Sequence, residues 1–258
     1  MNEASPALTA AIAAAFGAIA GSFLNVCIYR LPLGTSVVWP ASACPHCRRE
    51  IAWFENIPIL SWVFLGGRCR TCRHPIGIRY PIIEAITATM FAAAWWFYGP
   101  SLLLVSRLIF GCALIVLFAI DLEHQLLPNV ITLPGIAIGL VLSFFTEPGW
   151  VDSLIGVLVG GGSLLLMFYA YLVVRKKEGL GMGDPKMLAM IGAFLGWKMT
   201  LLALMFASLA GSAFGMTMMA TRRGSLESML PFGCFLAVGA AVAATVGPEL
   251  LQWYLSLW

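Results

Sequence analysis

The chain has 258 residues, of which 60% are hydrophobic and 10% charged, and its mean hydropathy is +0.91. Soluble globular domains carry about 25% charged residues, so this composition excludes the soluble class and indicates a polytopic membrane protein. The formal net charge is only +3, and we expect no nucleic-acid partner.

Apolar runs long enough to cross the bilayer as helices, which takes about 20 residues, recur along the chain. The uncharged runs are 5–29, 126–146, 153–174, 199–221 and 228–248. Two further spans, 82–98 and 102–121, carry one internal charge each, and the short run 187–197 makes an eighth. The predicted fold class is therefore an all-α polytopic membrane protein with about eight transmembrane helices.

Arginine and lysine determine the expected orientation, because cytoplasmic loops carry an excess of them. With eight spans and the amino terminus outside, 13 of the 15 basic residues fall on the cytoplasmic side. Outside the first loop, these are Arg175, Lys176, Lys177, Lys186, Arg222 and Arg223. The opposite orientation would place the basic excess outside, so we reject it.

The chain is predicted to have three parts, a first transmembrane helix (1–29), a cytoplasmic insertion (30–79) and a seven-helix membrane domain (80–258). The insertion contains seven arginines, four of the seven cysteines and two of the three histidines. A segment of about 50 residues buries too little apolar surface to fold without a staple.

The cysteines of the insertion form two CxxC pairs separated by 21 residues. They are Cys44, Cys47, Cys69 and Cys72. Two such pairs can place four thiolates around one tetrahedral Zn²⁺, and four cysteine ligands leave no open position, so the zinc would be structural. The predicted fold therefore includes a small zinc-stapled cytoplasmic insertion. Disulfides are the competing interpretation, but cytoplasmic thiols stay reduced. The other three, Cys27, Cys112 and Cys234, lie in apolar spans and are interpreted as small buried residues.

Two aspartates stand beside apolar runs, where a carboxylate costs free energy unless it is near water, paired or used. Asp121 follows the run 108–120, and Asp184 precedes the run 187–197. The predicted topology places both near the cytoplasmic boundary. Two neighbouring carboxylates cannot both ionise easily, so one can take a proton from water while the other donates to a carbonyl oxygen. This chemistry hydrolyses a peptide bond.

Alternatives exist for the residues around these aspartates. Asp184 precedes a proline, a pattern typical of a helix cap, and Glu123 and Glu178 are nearby carboxylates in polar segments. The glycines before Asp184 resemble a Rossmann nucleotide loop, but the stretch before them is a membrane helix rather than a strand. We interpret Gly181 and Gly183 as a loop that lets a substrate backbone approach Asp184.

Several motifs together resemble the bacterial type IV prepilin peptidases, which are GxGD intramembrane aspartyl proteases. They are Gly181-Met-Gly183-Asp184-Pro-Lys186, an aspartate shortly before Leu127-Pro128-Asn129, the paired CxxC motifs, the segment Gly21 to Pro32, and Arg79-Tyr-Pro-Ile-Ile-Glu84.

 Asp121 is the aspartate before the Leu127-Pro128-Asn129 motif, with five residues between it and Leu127. The motifs occur in the same order as in that family and cover about residues 17–235.

The resemblance implies an enzyme with two activities at the bacterial inner membrane. Asp121 and Asp184 match the catalytic aspartates of the family, and the four cysteines match its cysteine tetrad. Such enzymes cleave the basic leader of type IV prepilins or type II secretion pseudopilins after a glycine. They then methylate the new amino terminus with S-adenosylmethionine, for which the sequence contains no recognisable binding motif.

Three other functions are compatible with parts of the sequence. A proton-coupled transporter would also use intramembrane carboxylates, although transporter sites lie near the bilayer midplane rather than at one face. The others are a peptidase without methylation, and a zinc-stapled scaffold in which Asp184 only caps a helix. The lipid bilayer is an expected partner in every case, and the oligomeric state is left open.

Overall fold

The structure is a computed structural model that describes residues 6–176, 181–221 and 231–256. Within these ranges the chain is helical, and it forms two isolated β-bridges but no strand. Lys177, Glu178, Arg222 and Arg223, which entered the sequence predictions, lie outside the described residues. The all-α prediction is confirmed.

The chain divides into two compact units, residues 1–116 and 117–258. The first unit contains α1 (Pro6–Arg30), α2 (Leu60–Phe64) and α3 (Arg79–Tyr98), and α4 (Leu102–His124) continues into the second. The second unit adds α5 (Asn129–Leu142), α6 (Trp150–Arg175), α7 (Gly183–Ala220), α8 (Phe232–Thr245) and α9 (Gly247–Leu255). The three-part division at residues 30 and 80 stays a prediction.

Fewer helices meet the length and hydropathy of a membrane span than the eight predicted. In the described part of the chain, α1, α4, α6 and α7 do so, and α8 with α9, bent by 65°, makes a fifth. The eight-span count is therefore not confirmed. The predicted spans 187–197 and 199–221 both belong to α7, which is interrupted at Gly196 by a φ of 74°. The helix α5 has only 14 residues.

In the first unit, small residues let α1 and α3 approach each other closely. A Cβ at Gly17 would lie 2.7 Å from the carbonyl oxygen of Thr87, and one at Gly21 would lie 2.7 Å from the Cα of Glu84. The buried Asn25 adds a hydrogen bond from Nδ2 to the carbonyl oxygen of Tyr80, at 3.1 Å. This packing joins the end of α1 to the start of α3, the two helix ends that the insertion connects along the chain.

In the second unit, α7 is the most deeply buried helix, and its first half is covered on all sides. Glycines bring α6 against it, because a Cβ at Gly192 would lie 2.2 Å from the backbone of Gly156. Gly160 and Gly161 also contact α7, whereas a Cβ at Gly162 would meet nothing within 4 Å. The close approach keeps the start of α7, where Asp184 lies, in a defined position.

We predict that Gly192→Ala destabilises the second unit, because the added methyl group would overlap the α6 backbone. The expected loss is about 1–3 kcal/mol of unfolding free energy. Thermal unfolding of the purified protein in one detergent measures it. Gly162→Ala is the matched control, and it should leave stability unchanged or raise it by up to about 1 kcal/mol through helix propensity. Equal stability of the two variants would contradict the packing argument.

Candidate active site and cysteine cluster

Asp121 lies in the last turn of α4 and is buried, with 5% of its surface exposed. Its Oδ2 accepts a hydrogen bond from the backbone N–H of Cys234, at 2.9 Å. Cys234 is in the first turn of α8, where backbone N–H groups have no partner within the helix and the helix dipole is positive. The carboxylate of Asp121 therefore occupies the amino-terminal end of α8.

The contact between Asp121 and α8 depends on a glycine. A Cβ at Gly233 would lie 2.9 Å from Oδ2 of Asp121 and 3.0 Å from Cδ2 of Leu127. The thiol of Cys234 also donates to the carbonyl oxygen of Phe118, at 3.3 Å. The sequence prediction missed Gly233 and treated Cys234 only as a small buried residue. The proline before Phe232 is a helix-start signal, but no sequence pattern connects that start with Asp121.

Asp184 lies in the first turn of α7 and is also buried, with 6% of its surface exposed. The helix begins at Gly183 after Met182 as its cap residue, so the interpretation of Asp184 as the N-cap is wrong. The backbone N–H of Asp184 donates to the carbonyl oxygen of Gly181, at 3.1 Å. A Cβ at Gly181 would lie 3.4 Å from Oδ2 of Asp184, so this exposed glycine adjoins the carboxylate.

The two aspartates belong to one cluster, close enough for the charge of Asp121 to act on Asp184. Leu127 is buried between the segments that carry them. A Cβ at Gly183 would lie 2.7 Å from Cβ of Leu127, so the missing side chain of Gly183 serves packing against Leu127. On the opposite side, Leu127 adjoins Gly233. One leucine therefore separates the two turns that position the carboxylates.

A polar contact between the starts of α5 and α7 lies nearer to solvent. The ammonium group of Lys186, two residues after Asp184, donates to Oδ1 of Asn129 at 2.9 Å. Glu123, the alternative carboxylate, is exposed and lies 4.0 Å from His124, as its position in a polar segment predicts. The other alternative, Glu178, is outside the described residues.

The four cysteines of the insertion also come together. The sulfur atoms of Cys44, Cys47, Cys69 and Cys72 all lie within 4.8 Å of one another. The sulfurs of Cys44 and Cys72 are 3.8 Å apart, so the thiols are free rather than joined as disulfides. A compact set of four thiols, with no other donor type in the cluster, fits the coordination preference of Zn²⁺.

The two CxxC segments have the same local structure. In each, the N–H of the first cysteine donates to the carbonyl oxygen five residues later, at 2.9 Å. Arg48 and Arg73, the residues after each second cysteine, have positive φ angles of 57° and 58°. The backbone N–H groups of Cys72 and Thr71 lower the pKa of the Cys69 thiol to about 6. This favours the thiolate of Cys69, which is the form that binds metal. In the same cluster, burial and the neighbouring sulfurs raise the pKa of the Cys72 thiol to about 11.

An ion-pair cluster ties the first CxxC segment to the second. Glu55 pairs with Arg49 and, at 3.4 Å, with Arg70. Arg49 also donates from Nη1 to the hydroxyl of Thr71, at 2.5 Å. The hydrogen bond from Arg49 is the main cause of the lowered pKa of Glu55, and the N–H of Ala52 contributes. The insertion is therefore held by charge pairing as well as by the cysteine cluster.

Comparison with known proteins gives two family matches that follow each other along the chain. Residues 15–98 match the bacterial peptidase A24 N-terminal domain, and residues 108–216 match the type IV leader peptidase family. The second match contains both aspartates, and the first contains all four cysteines. The class of protein is therefore a membrane peptidase.

Curated relatives narrow this class. Prepilin leader peptidase/N-methyltransferase of Pseudomonas putida is 35% identical over 95% of this chain and 93% of its own length. The Pseudomonas aeruginosa protein of the same name is 36% identical over 93% and 91%. The one from Myxococcus xanthus is 43% identical over 79% of this chain and 61% of its own length. No solved structure matches.

The chain belongs to the type IV leader peptidase family and is a peptidase, and the name shared by its relatives adds an N-methyltransferase. The family resemblance and enzyme class predicted from the sequence are confirmed. The roles of individual residues remain predictions, as does the orientation in the membrane.

We predict that Glu55→Gln loosens the insertion at neutral pH, since it removes the charge that faces Arg49 and Arg70. Because the pKa of Glu55 is lower in the folded than in the unfolded state, the pairing stabilises the fold above the ordinary glutamate pKa, about 4. This stabilisation is lost as the pH falls through the folded-state pKa. Hydrogen exchange over residues 44–75 should be faster in the variant at pH 7, and the difference from wild type should vanish in acid.

Glu50→Gln is the matched control, since it removes the same charge at an exposed position in the same segment. It should leave hydrogen exchange near the wild-type rate at both pH values. A difference between wild type and Glu55→Gln that persists unchanged in strong acid would contradict a role for the charge.

Proposed function

We propose that this chain cleaves the basic leader peptide of type IV prepilins or pseudopilins, after a glycine, with Asp121 and Asp184 as the catalytic pair. The observation that carries the proposal is the burial of both carboxylates in one cluster. The names of the curated relatives supply the substrate class. Peptide hydrolysis by two carboxylates needs no nucleophilic side chain, only a water molecule and one shared proton.

The surroundings of the two carboxylates suggest different roles. Asp121 accepts from the backbone N–H groups of Cys234 and Gly233 at the start of α8. Hydrogen bonds and a helix amino terminus favour a carboxylate in its ionised form. Asp184 interacts with the single N–H of Gly181 and faces the charge of Asp121. Like charges at close range disfavour double ionisation, so the proton of the pair resides on Asp184.

This division of protons defines the reaction steps. Asp121 takes a proton from a water molecule as the water oxygen attacks the scissile carbonyl carbon. Asp184 gives its proton to the carbonyl oxygen, which produces a neutral tetrahedral intermediate. The proton on Asp121 then passes to the leaving amide nitrogen as the C–N bond breaks, and one intermediate hydroxyl returns its proton to Asp184. The pair ends with the single proton that it had at the start.

The charge pattern supports a cytoplasmic site in the inner membrane, with the amino terminus outside. The carboxylates lie at the ends of α4 and α7 rather than in mid-helix. A prepilin with its basic leader in the cytoplasm and its apolar helix in the bilayer would present the scissile bond at that boundary. A transporter would place such groups near the midplane, so the positions favour the peptidase.

Methylation is the second proposed activity, with S-adenosylmethionine as the donor of the methyl group. The donor would transfer its methyl group to the amino group that leader cleavage exposes. Methylation must therefore follow cleavage, because that amino group does not exist in the precursor. The name shared by the relatives includes N-methyltransferase, and we assign no residues to the donor.

We predict that Asp121→Asn and Asp184→Asn each reduce leader cleavage by at least about 10³-fold, since each removes one half of the proton transfer. Mass spectrometry of a prepilin after incubation with membranes containing each variant measures cleavage. Glu123→Gln is the matched control, two residues from Asp121 and exposed, and it should cleave normally. Full activity in either aspartate variant would contradict the catalytic pair.

The same mass spectra separate the two activities. With S-adenosylmethionine present, the wild-type product should be heavier than the unmodified mature pilin by one methyl group. A cleaved but unmodified product would support the peptidase-only alternative.

We also propose that Cys44, Cys47, Cys69 and Cys72 bind one structural Zn²⁺. The metal would cross-link the two CxxC segments, whose matching backbone geometry already directs the four sulfurs to one point. A complete set of four cysteine ligands leaves no position for water or substrate. The ion therefore stabilises the insertion and takes no part in peptide hydrolysis.

We predict that purified wild-type protein contains about one zinc ion per chain and that Cys44→Ser loses most of it. Inductively coupled plasma mass spectrometry measures the metal content. Cys112→Ser, a cysteine substitution in α4 away from the cluster, should retain the wild-type zinc content. Equal zinc in Cys44→Ser and wild type would contradict the assignment of the ligands.

A further inference from the structure

The insertion exposes several of its largest apolar side chains. The exposed fractions are 82% for Val38, 75% for Trp39, 82% for Trp53 and 84% for Phe64. A segment of about 50 residues that leaves such side chains uncovered presents an apolar surface outside the membrane spans. Large exposed apolar patches mark interaction sites.

Part of this surface is one face of the short helix α2. Leu60, Val63 and Phe64 are all exposed, and their spacing places them on the same side of the helix. Trp62 is turned inward, where its indole N–H donates to the carbonyl oxygen of Ile76 at 3.1 Å. The helix is therefore held to the insertion by one face, and its other face is apolar and uncovered.

The structure fastens α2 to the start of α3, the helix that packs closely against the membrane-length helix α1. Ile59, the residue before α2, has a φ of 62°, a conformation that is unfavourable for a β-branched side chain. Its backbone N–H donates to Oε2 of Glu84 at 2.7 Å, and Glu84 is buried in the second turn of α3. The buried carboxylate thus keeps the apolar face of α2 near the start of α3, beside the membrane-length helix α1.

A second part of the surface adjoins α1. A cavity of about 400 Å³ is lined by Ile19 and Phe23 of α1 and by Val37, Val38 and Pro40 of the insertion. Ile19 and Phe23 belong to an exposed apolar stripe on a helix long enough to span the membrane. The loop around Trp39 therefore continues the surface that α1 presents to lipid.

The charge of the insertion complements an anionic bilayer. It has seven arginines against two glutamates, Glu50 and Glu55, and Arg48, Arg68, Arg70 and Arg73 are exposed. Basic residues near an anionic leaflet are attracted to it, and tryptophan prefers the headgroup region. A basic leader peptide would be repelled by the same arginines, so charge favours lipid over substrate as the occupant.

We propose that the insertion docks onto the surface of the bilayer, with Trp39, Trp53 and the apolar face of α2 in the headgroup region and the arginines attracted to anionic lipids. This contact is independent of the catalytic proposal, because it concerns a different surface and needs no activity. It would hold the CxxC segments against the membrane rather than leave them projecting into water.

The test uses the full chain in nanodiscs that contain phosphatidylglycerol, with lipid chains either brominated near the headgroups or not. Trp39→Phe and Trp53→Phe are compared with wild type, and the emission lost on each substitution is the emission of that tryptophan. We expect bromine to quench this emission by half or more at both positions. Trp62→Phe is the matched control, and the emission of Trp62 should change little.

Replacing phosphatidylglycerol with phosphatidylcholine should reduce the quenching of Trp39 and Trp53. Emission from both that is insensitive to bromine but quenched by acrylamide would overturn the proposal, since the side chains would then face water. Insensitivity to both quenchers would indicate a protein contact and would overturn it equally. Quenching that does not depend on anionic lipid would overturn the role of the arginines.

Discussion

The hydrogen bond between Asp121 and the amino-terminal end of α8 is the interaction on which the candidate active site depends. A buried carboxylate is costly unless it is hydrogen-bonded or paired. The N–H of Cys234 satisfies it at 2.9 Å, and Gly233 leaves the space for the approach. The same contact draws α8 to the end of α4 and distinguishes the environment of Asp121 from that of Asp184.

The remaining geometry of the pair comes from close packing. Leu127 contacts Gly183 on one side and Gly233 on the other, so the spacing of the two turns follows from one buried side chain. The glycines between α6 and α7 hold the start of α7 in place. Without a side chain at these positions, backbones can approach closely enough for van der Waals packing to act, which is the main source of helix association in a bilayer.

The insertion follows a different principle, since it has little core of its own. Two CxxC segments of matching geometry, an ion-pair cluster around Glu55 and the bond from Ile59 to Glu84 determine its shape. Its apolar side chains are largely on the outside. A small domain built in this way is stabilised by specific cross-links and, in the docking proposal, by the bilayer that covers its exposed face.

By itself the sequence determined the membrane class, the helical fold, the cysteine cluster and the family, because composition and motif spacing are local properties of the chain. It singled out Asp121 and Asp184 as candidates, since a carboxylate beside an apolar run is conspicuous. The tertiary structure decided that Gly233 and Cys234 adjoin Asp121, that Gly183 packs against Leu127 and that Asp184 is not a helix cap. These depend on contacts between residues as far as 113 positions apart, and no local pattern encodes which helix start will meet which carboxylate.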